Sequence, residues 1–265
     1  MAAVLKSPRP IMLAGIAPEE YGTEISARHL LDERFSAHGL IIIPFALRAD
    51  HRREVTETYE RDGKPVVHCW PMAVNATANF VSTDYLDIAS RLGDAWQQTG
   101  RRRILLLGED IQKTMSSRLR HMGLIAGLGS AVGDSISLHL DRLPQDMEEV
   151  RQLLRSTFKK RQPPDAVFSS NPFVAMNIVT GLQEQGLRVP EDVSVVTDSI
   201  SYNHEAIRFG LTGTQQPLHE IGRLLLGMLC ERIEKGGASL PGRFLSAPFV
   251  GGGTTRPEEN ALLGI

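Results

Sequence analysis

The sequence predicts an α/β fold built as two Rossmann-like lobes, and two observations carry that prediction. Short β-branched runs alternate with longer amphipathic segments, the pattern of parallel strands joined by crossover helices. About eight strand candidates spread over the chain fit two lobes better than one wide sheet. Apolar residues make up 42% of the 265, enough to bury a core in each.

The expected elements follow in order. Strand Ile11–Ile16 leads to a helix over Tyr21–Phe35, and strands at Leu40–Phe45, Pro65–Cys69 and Phe80–Ser82 complete the first group. A helix over Tyr85–Gln98 then precedes strand Ile104–Gly108, helix Ser117–Leu128 and strand Ser135–Leu140. Helix Met147–Lys160, strand Ala166–Ser170, helix Pro172–Gln185 and strand Val193–Thr197 continue the alternation. In each helix apolar residues recur at spacings of three and four. The last, His219–Lys235, shows it plainly: Ile221, Leu224, Leu225, Met228 and Leu229 make one face. No internal repeat is evident, and the loosest segments are expected at Gly251–Thr255 and in the tail from Pro257.

Charge and cysteine content narrow the function. Lys and Arg number 29 against 31 Asp and Glu, so a net charge of −2 gives no overall basic field for phosphates. Cys69 and Cys230 match neither a metal-ligand spacing nor a disulfide framework, which reads as free thiols in a reducing cytosol. Met1–Gly15 carries a lysine and two prolines where an export signal needs an unbroken apolar core, and no run approaches ~20 apolar residues. A cytoplasmic protein is expected.

In open parallel sheets ligands sit beyond the carboxyl ends of the strands. Asp84, Asn171 and Asp198 each follow a strand, and Ser117 with Arg120 opens the helix after Ile104–Gly108. A carboxylate, an amide and a guanidinium facing one site would give directional hydrogen bonds to a small polar ligand. A competing explanation exists at each position. Asn171 before Pro172 is a good helix cap, Asp84 before Tyr85 another, and Arg120 also fits a surface arginine. Trp70 ends a strand and is a candidate to stack on a sugar or base.

Catalytic patterns are weak. Gly127-Leu128-Gly129 follows a helix rather than a strand, and Gly251-Gly252-Gly253 lacks a lysine partner, so neither is a phosphate loop. The eight histidines show no pairing that reads as metal or nucleophile chemistry. No catalytic residue, metal or cofactor is expected.

Five motifs in order give a resemblance over nearly the whole chain. Thr99-Gly100-Arg101-Arg102-Arg103-Ile104 follows the helix after Asp84. Ser116 and Ser117 precede Arg120 and Gly123, and then comes Ser170-Asn171-Pro172-Phe173-Val174-Ala175. Leu187-Arg188-Val189-Pro190-Glu191-Asp192-Val193-Ser194-Val195-Val196 and Leu211-Thr212-Gly213-Thr214-Gln215-Gln216-Pro217 close the series. Together they resemble the effector-binding domain of the LacI/GalR family of bacterial transcription regulators, whose fold is similar to periplasmic sugar-binding proteins of type I. The chain departs from that pattern at Pro172, where the family has aspartate, and at Thr197, where it has glycine. The run Asp198-Ser199 leaves open which of the two takes the place of the family's ligand-binding aspartate.

The resemblance implies a small-molecule effector, with a sugar foremost, held in an interlobe cleft by Asp84, Ser117, Arg120, Asn171, Asp198, Ser199 and Gln216, with Trp70 beside them. It implies lobes formed by residues 1–82 with 217–241 and 83–216 with 242–265, joined by three crossings. Ligand in such a hinged cleft biases an open and a closed arrangement, which couples to DNA affinity. A homodimer is implied, with operator DNA reached only through a helix-turn-helix region that precedes the sensor in the family. Met1–Pro10 resembles the end of the first sensor helix and Ile11–Ile16 the second strand, so the amino-terminal lobe is expected to be truncated. A free-standing solute-binding protein and a sugar- or nucleotide-using enzyme are the alternatives.

Overall fold

A computed structural model of the chain describes residues 37–43, 49–71, 76–109, 115–129, 136–140, 143–144, 146–159, 162–201 and 203–265. The expected strand Ile11–Ile16 and helix Tyr21–Phe35 lie outside the described residues. The chain divides into two compact units, one reaching to Thr83 and resuming at Pro217–Leu245, the other formed by Asp84–Gln216 and Ser246–Ile265.

The first unit holds a parallel sheet in the order β1 (Leu40–Ile42), β2 (Val66–Cys69), β3 (Phe80–Thr83), β9 (Arg243–Leu245). Successive side chains of a strand point to opposite faces, and β2 uses both. Val66 packs with Ile42 and with Val55 and Tyr59 of helix α1 (Ala49–Arg61). Its neighbour Val67 joins Val81 against Ile221, Leu225 and Met228 of helix α7 (Leu218–Glu234). The apolar face predicted for that helix is therefore its core face. One turn further on, Arg232 is only 2% exposed. Its guanidinium donates to Glu60 at 2.8 Å and to the carbonyls of Val66 and Gly237 at 2.6 and 2.7 Å, so the buried charge is paired and hydrogen-bonded.

The second unit carries a six-stranded sheet in the order β10-β8-β7-β6-β4-β5: β10 (Phe249–Val250), β8 (Thr212–Thr214), β7 (Ser194–Thr197), β6 (Ala166–Ser169), β4 (Ile104–Glu109) and β5 (Ile136–Leu140). All pairs are parallel except β10 with β8. Alternation sorts its apolar residues into two cores. Leu105, Leu107, Val167 and Val195 face helices α4 (Met147–Phe158), α5 (Pro172–Glu184) and α6 (His204–Phe209). Ile104, Leu106, Phe168 and Val196 meet Trp96 and Leu92 of α2 (Tyr85–Gln98), Leu124 and Leu128 of α3 (Met115–Leu128), and Leu263 of α8 (Pro257–Leu263).

Helices α2 and α3 touch backbone to backbone through glycines. A Cβ at Gly123 would lie 2.2 Å from the Leu86 carbonyl oxygen, one at Gly127 2.1 Å from that of Ser90, and one at Gly93 2.7 Å from that of Leu124. The glycine run around Gly127 thus serves helix packing.

One expectation is corrected. The stretch from Gly251 and the tail from Pro257 are not loose: Thr254 and Thr255 are 4% exposed, and α8 anchors the carboxyl end. Glu259 of α8 is fully buried and accepts from Arg101 at 2.7 Å, while Arg101 also donates to the carbonyls of Asp165 and Pro190 at 2.8 and 2.7 Å. The division between the units after Leu245 falls inside the segment Leu240–Ser246 expected for the third crossing, and Arg243, Phe244 and Leu245 stay with the first unit because they pair with Val81, Ser82 and Thr83. Strands β8, β9 and β10 and helices α1, α6 and α8 were not expected from the sequence.

Candidate functional site

Strands β4, β6, β7 and β8 run parallel, so their carboxyl ends share one edge of the second sheet. Polar residues that follow β7 and β8 meet there. Asp198 follows β7 and is 2% exposed. Its backbone N–H donates to the Ser169 carbonyl at 3.1 Å, which ties the loop to β6. Both carboxylate oxygens have partners. Oδ1 accepts from the Thr214 hydroxyl at 2.9 Å, and Oδ2 accepts from the Arg120 guanidinium and, at 3.5 Å, from the Gln216 amide.

Arg120 reaches this carboxylate from α3 and is 8% exposed. Its guanidinium lies 4.2 Å from the centroid of the Tyr85 ring, a cation–π geometry, and its Nε is buried without a hydrogen-bond partner. The Tyr85 hydroxyl accepts from the Gln216 amide at 3.2 Å. Arg120, Gln216 and Thr214 thus donate to the Asp198 carboxylate, and Tyr85 joins them through its contacts with Arg120 and Gln216.

The remaining candidates sit at the same sheet edge or elsewhere. Ser117 is buried one turn before Arg120, and a Cβ on Gly108 at the end of β4 would lie 4.0 Å from its hydroxyl and 3.9 Å from that of Ser170. Ser199 enters through its backbone: its N–H donates to the Thr214 hydroxyl at 3.0 Å, with φ of 37°. Of the pair left open by the sequence, it is Asp198 that joins the cluster. Asp84 and Asn171 cap helices, as the competing explanation held. Asp84 accepts from the Asp87 N–H at 3.0 Å, and Asn171 accepts from Phe173 and Val174 at 2.9 and 3.3 Å.

Trp70 belongs to the first unit, just past β2, with a φ of 97° that a bulky side chain rarely adopts. Beside it, burial and the neighbouring Arg52 push the His68 imidazole down to about 4, against a smaller upward pull from Glu60. Burial pushes the Cys69 thiol up to about 11, so it is no thiolate at neutral pH. A groove of about 320 Å³ on the first unit is lined by Leu224, Gly227, Met228, Leu240 and Arg243 and includes none of the candidates. No group of His, Cys, Asp or Glu among the described residues is arranged to hold a metal. None of their helices is long and apolar enough to cross a membrane.

Tyr85 and Thr214 were missed from the sequence. Tyr85 looked like the first residue of a capped helix, and Thr214 was visible only as part of a turn motif.

The comparisons with known proteins fit this architecture. Residues 94–255 match the family of periplasmic binding protein-like domains, which is more than half of the chain. The chain belongs to that family, and the resemblance to LacI/GalR effector-binding domains is borne out by its relatives. Over 117 residues, 43% of the chain, it is 31% identical to the HTH-type transcriptional repressor PurR of Erwinia tasmaniensis. The matches span 27% and 33% of the lengths of the first two curated relatives. Among solved structures, a LacI transcriptional regulator from a Rhodococcus species superposes with a TM-score of 0.76 at 19% identity, covering 97% of this chain and 91% of that one. A LacI family regulator from Enterococcus faecalis with bound ribose gives 0.71 at 17% identity, covering 88% and 82%. At these identities the two structures bear on the fold alone.

Proposed function

We propose that this protein senses a small polar effector, foremost a sugar, and that the cluster at the carboxyl edge of the second sheet binds it. The observation that carries the reading is the buried Arg120–Asp198 pair with Gln216 within reach of both the carboxylate and Tyr85. Sugar hydroxyls donate and accept, so a site that offers a guanidinium and a carboxylate side by side suits them. Ser117 and Ser170 extend the hydrogen-bonding edge, and Asp84 and Asn171 lie at its helix starts. The ribose bound to the Enterococcus faecalis relative supports the sugar class.

In this proposal the chain is the sensing part of a cytoplasmic transcription regulator that works as a homodimer, with operator DNA contacted through a helix-turn-helix. The half-exposed Phe173 of α5 and Ile207 and Phe209 of α6 offer an apolar surface for the second copy. The chemistry is binding, not catalysis. Thermal unfolding scans and turnover assays with monosaccharides, disaccharides, polyols and nucleobases test it. One sugar is expected to raise the melting temperature with no conversion; turnover of the ligand would contradict the reading.

A further inference from the structure

We infer that Tyr85 is the positioning residue of this site: its ring and its hydroxyl hold Arg120 and Gln216, the two side chains that converge on the same oxygen of Asp198. The inference rests on the proposed function for its link to ligand binding, but its structural half can be tested without a ligand.

Tyr85 is 1% exposed and starts α2, so its backbone is fixed by the helix and its side chain by its surroundings. The Arg120 guanidinium lies 4.2 Å from the ring centroid. A long arginine side chain has many rotamers, and a flat aromatic face removes most of them by supporting the guanidinium plane. The hydroxyl does the same for Gln216 by accepting from its amide at 3.2 Å, and that amide also lies 3.5 Å from Asp198 Oδ2. One residue thus sets both donors, and the amide nitrogen of Gln216 is oriented by the Tyr85 hydroxyl. The α2–α3 glycine contacts keep the platform and the arginine in register, because Gly123 lies one turn after Arg120 and abuts the Leu86 carbonyl.

The test uses the full chain with Tyr85→Phe and Tyr85→Leu. In wild-type protein the Arg120 Nε–H proton resonance, assigned by its loss in Arg120→Lys, is expected to be displaced upfield by the ring beneath it and protected from exchange. Tyr85→Phe is expected to keep that displacement while the Gln216 amide resonances move. Tyr85→Leu is expected to return the Arg120 signal towards a free-arginine position and to speed its exchange about tenfold. An Arg120 signal unchanged in Tyr85→Leu overturns the inference. Should Tyr85→Leu be unfolded, unchanged Gln216 resonances in Tyr85→Phe overturn it instead. Titration with D-ribose follows: if it stabilises wild-type protein, affinity is expected to fall about tenfold in Tyr85→Leu and to be recovered in part by Tyr85→Phe. Undiminished ribose affinity in a folded Tyr85→Leu overturns the positioning role. If neither ribose nor any other sugar binds wild-type protein while the resonances behave as stated, the sugar-sensing proposal fails and the positioning of Arg120 stands.

Discussion

At the scale of single residues, the buried pair dominates the expected behaviour. Arg120→Ala leaves the Asp198 carboxylate buried with Thr214 and Gln216 as its remaining partners among the described residues, and removing one member of such a pair destabilises by about 3 kcal/mol. Urea denaturation of the two proteins checks this, and loss of less than about 1 kcal/mol would show the pair to be solvent-screened. His68 gives a separate, pH-dependent expectation. Its folded value of about 4 lies below the usual 6.5, so the native state resists protonation. The stabilisation is complete above pH 6.5 and is lost as pH falls from there to about 4, by roughly 3 kcal/mol at most. Urea midpoints at pH 7.5 and 4.5 should differ more in wild-type protein than in His68→Leu. The sequence made Asp198 and Arg120 visible because strand ends locate a sheet's ligand edge. It did not make Tyr85 or Thr214 visible, because a side chain that supports another from a different element leaves no spacing pattern along the chain.

At the scale of elements, glycines divide into those that permit a contact and those that merely loosen a helix. Gly127→Ala drives a methyl into the Ser90 carbonyl and should destabilise by about 2 kcal/mol through overpacking of α2 on α3. Gly222→Ala on α7 meets nothing within 4 Å and should stabilise by about 0.5–1 kcal/mol through helix propensity. Thermal unfolding of both variants decides, and equal effects would refute the α2–α3 contact. The long helices and buried strands were legible because their apolar periodicity is strong: Tyr85–Gln98 was predicted to the residue. The strand Thr212–Thr214 was not, because its residues are polar or glycine and are buried by hydrogen bonds instead of apolar packing. A Cβ at Gly213 would meet the Thr197 side chain at 2.8 Å, which explains a glycine inside it. The tail from Pro257 looked loose because its anchor, Glu259 on Arg101, spans 158 residues of chain.

At the scale of the whole molecule, two α/β units share one chain that crosses between them after Thr83, Gln216 and Leu245, and the family of the fold followed from motifs in their right order. The unpredicted β9 mattered here, because three residues decide to which unit the chain segment before Ser246 belongs. If the chain acts as a homodimer through α5 and α6, Phe173→Lys with Ile207→Lys should yield monomers in sedimentation at concentrations where wild-type protein is dimeric. In the proposed function Asp198 and Arg120 bind a sugar. Calorimetric titration of wild-type protein and Asp198→Asn with the sugar that most raises the melting temperature tests it most directly. Saturable binding to wild-type protein is expected, with at least a tenfold weaker affinity, about 1.4 kcal/mol, in a folded Asp198→Asn; equal affinity in the two proteins would contradict sugar binding by this pair.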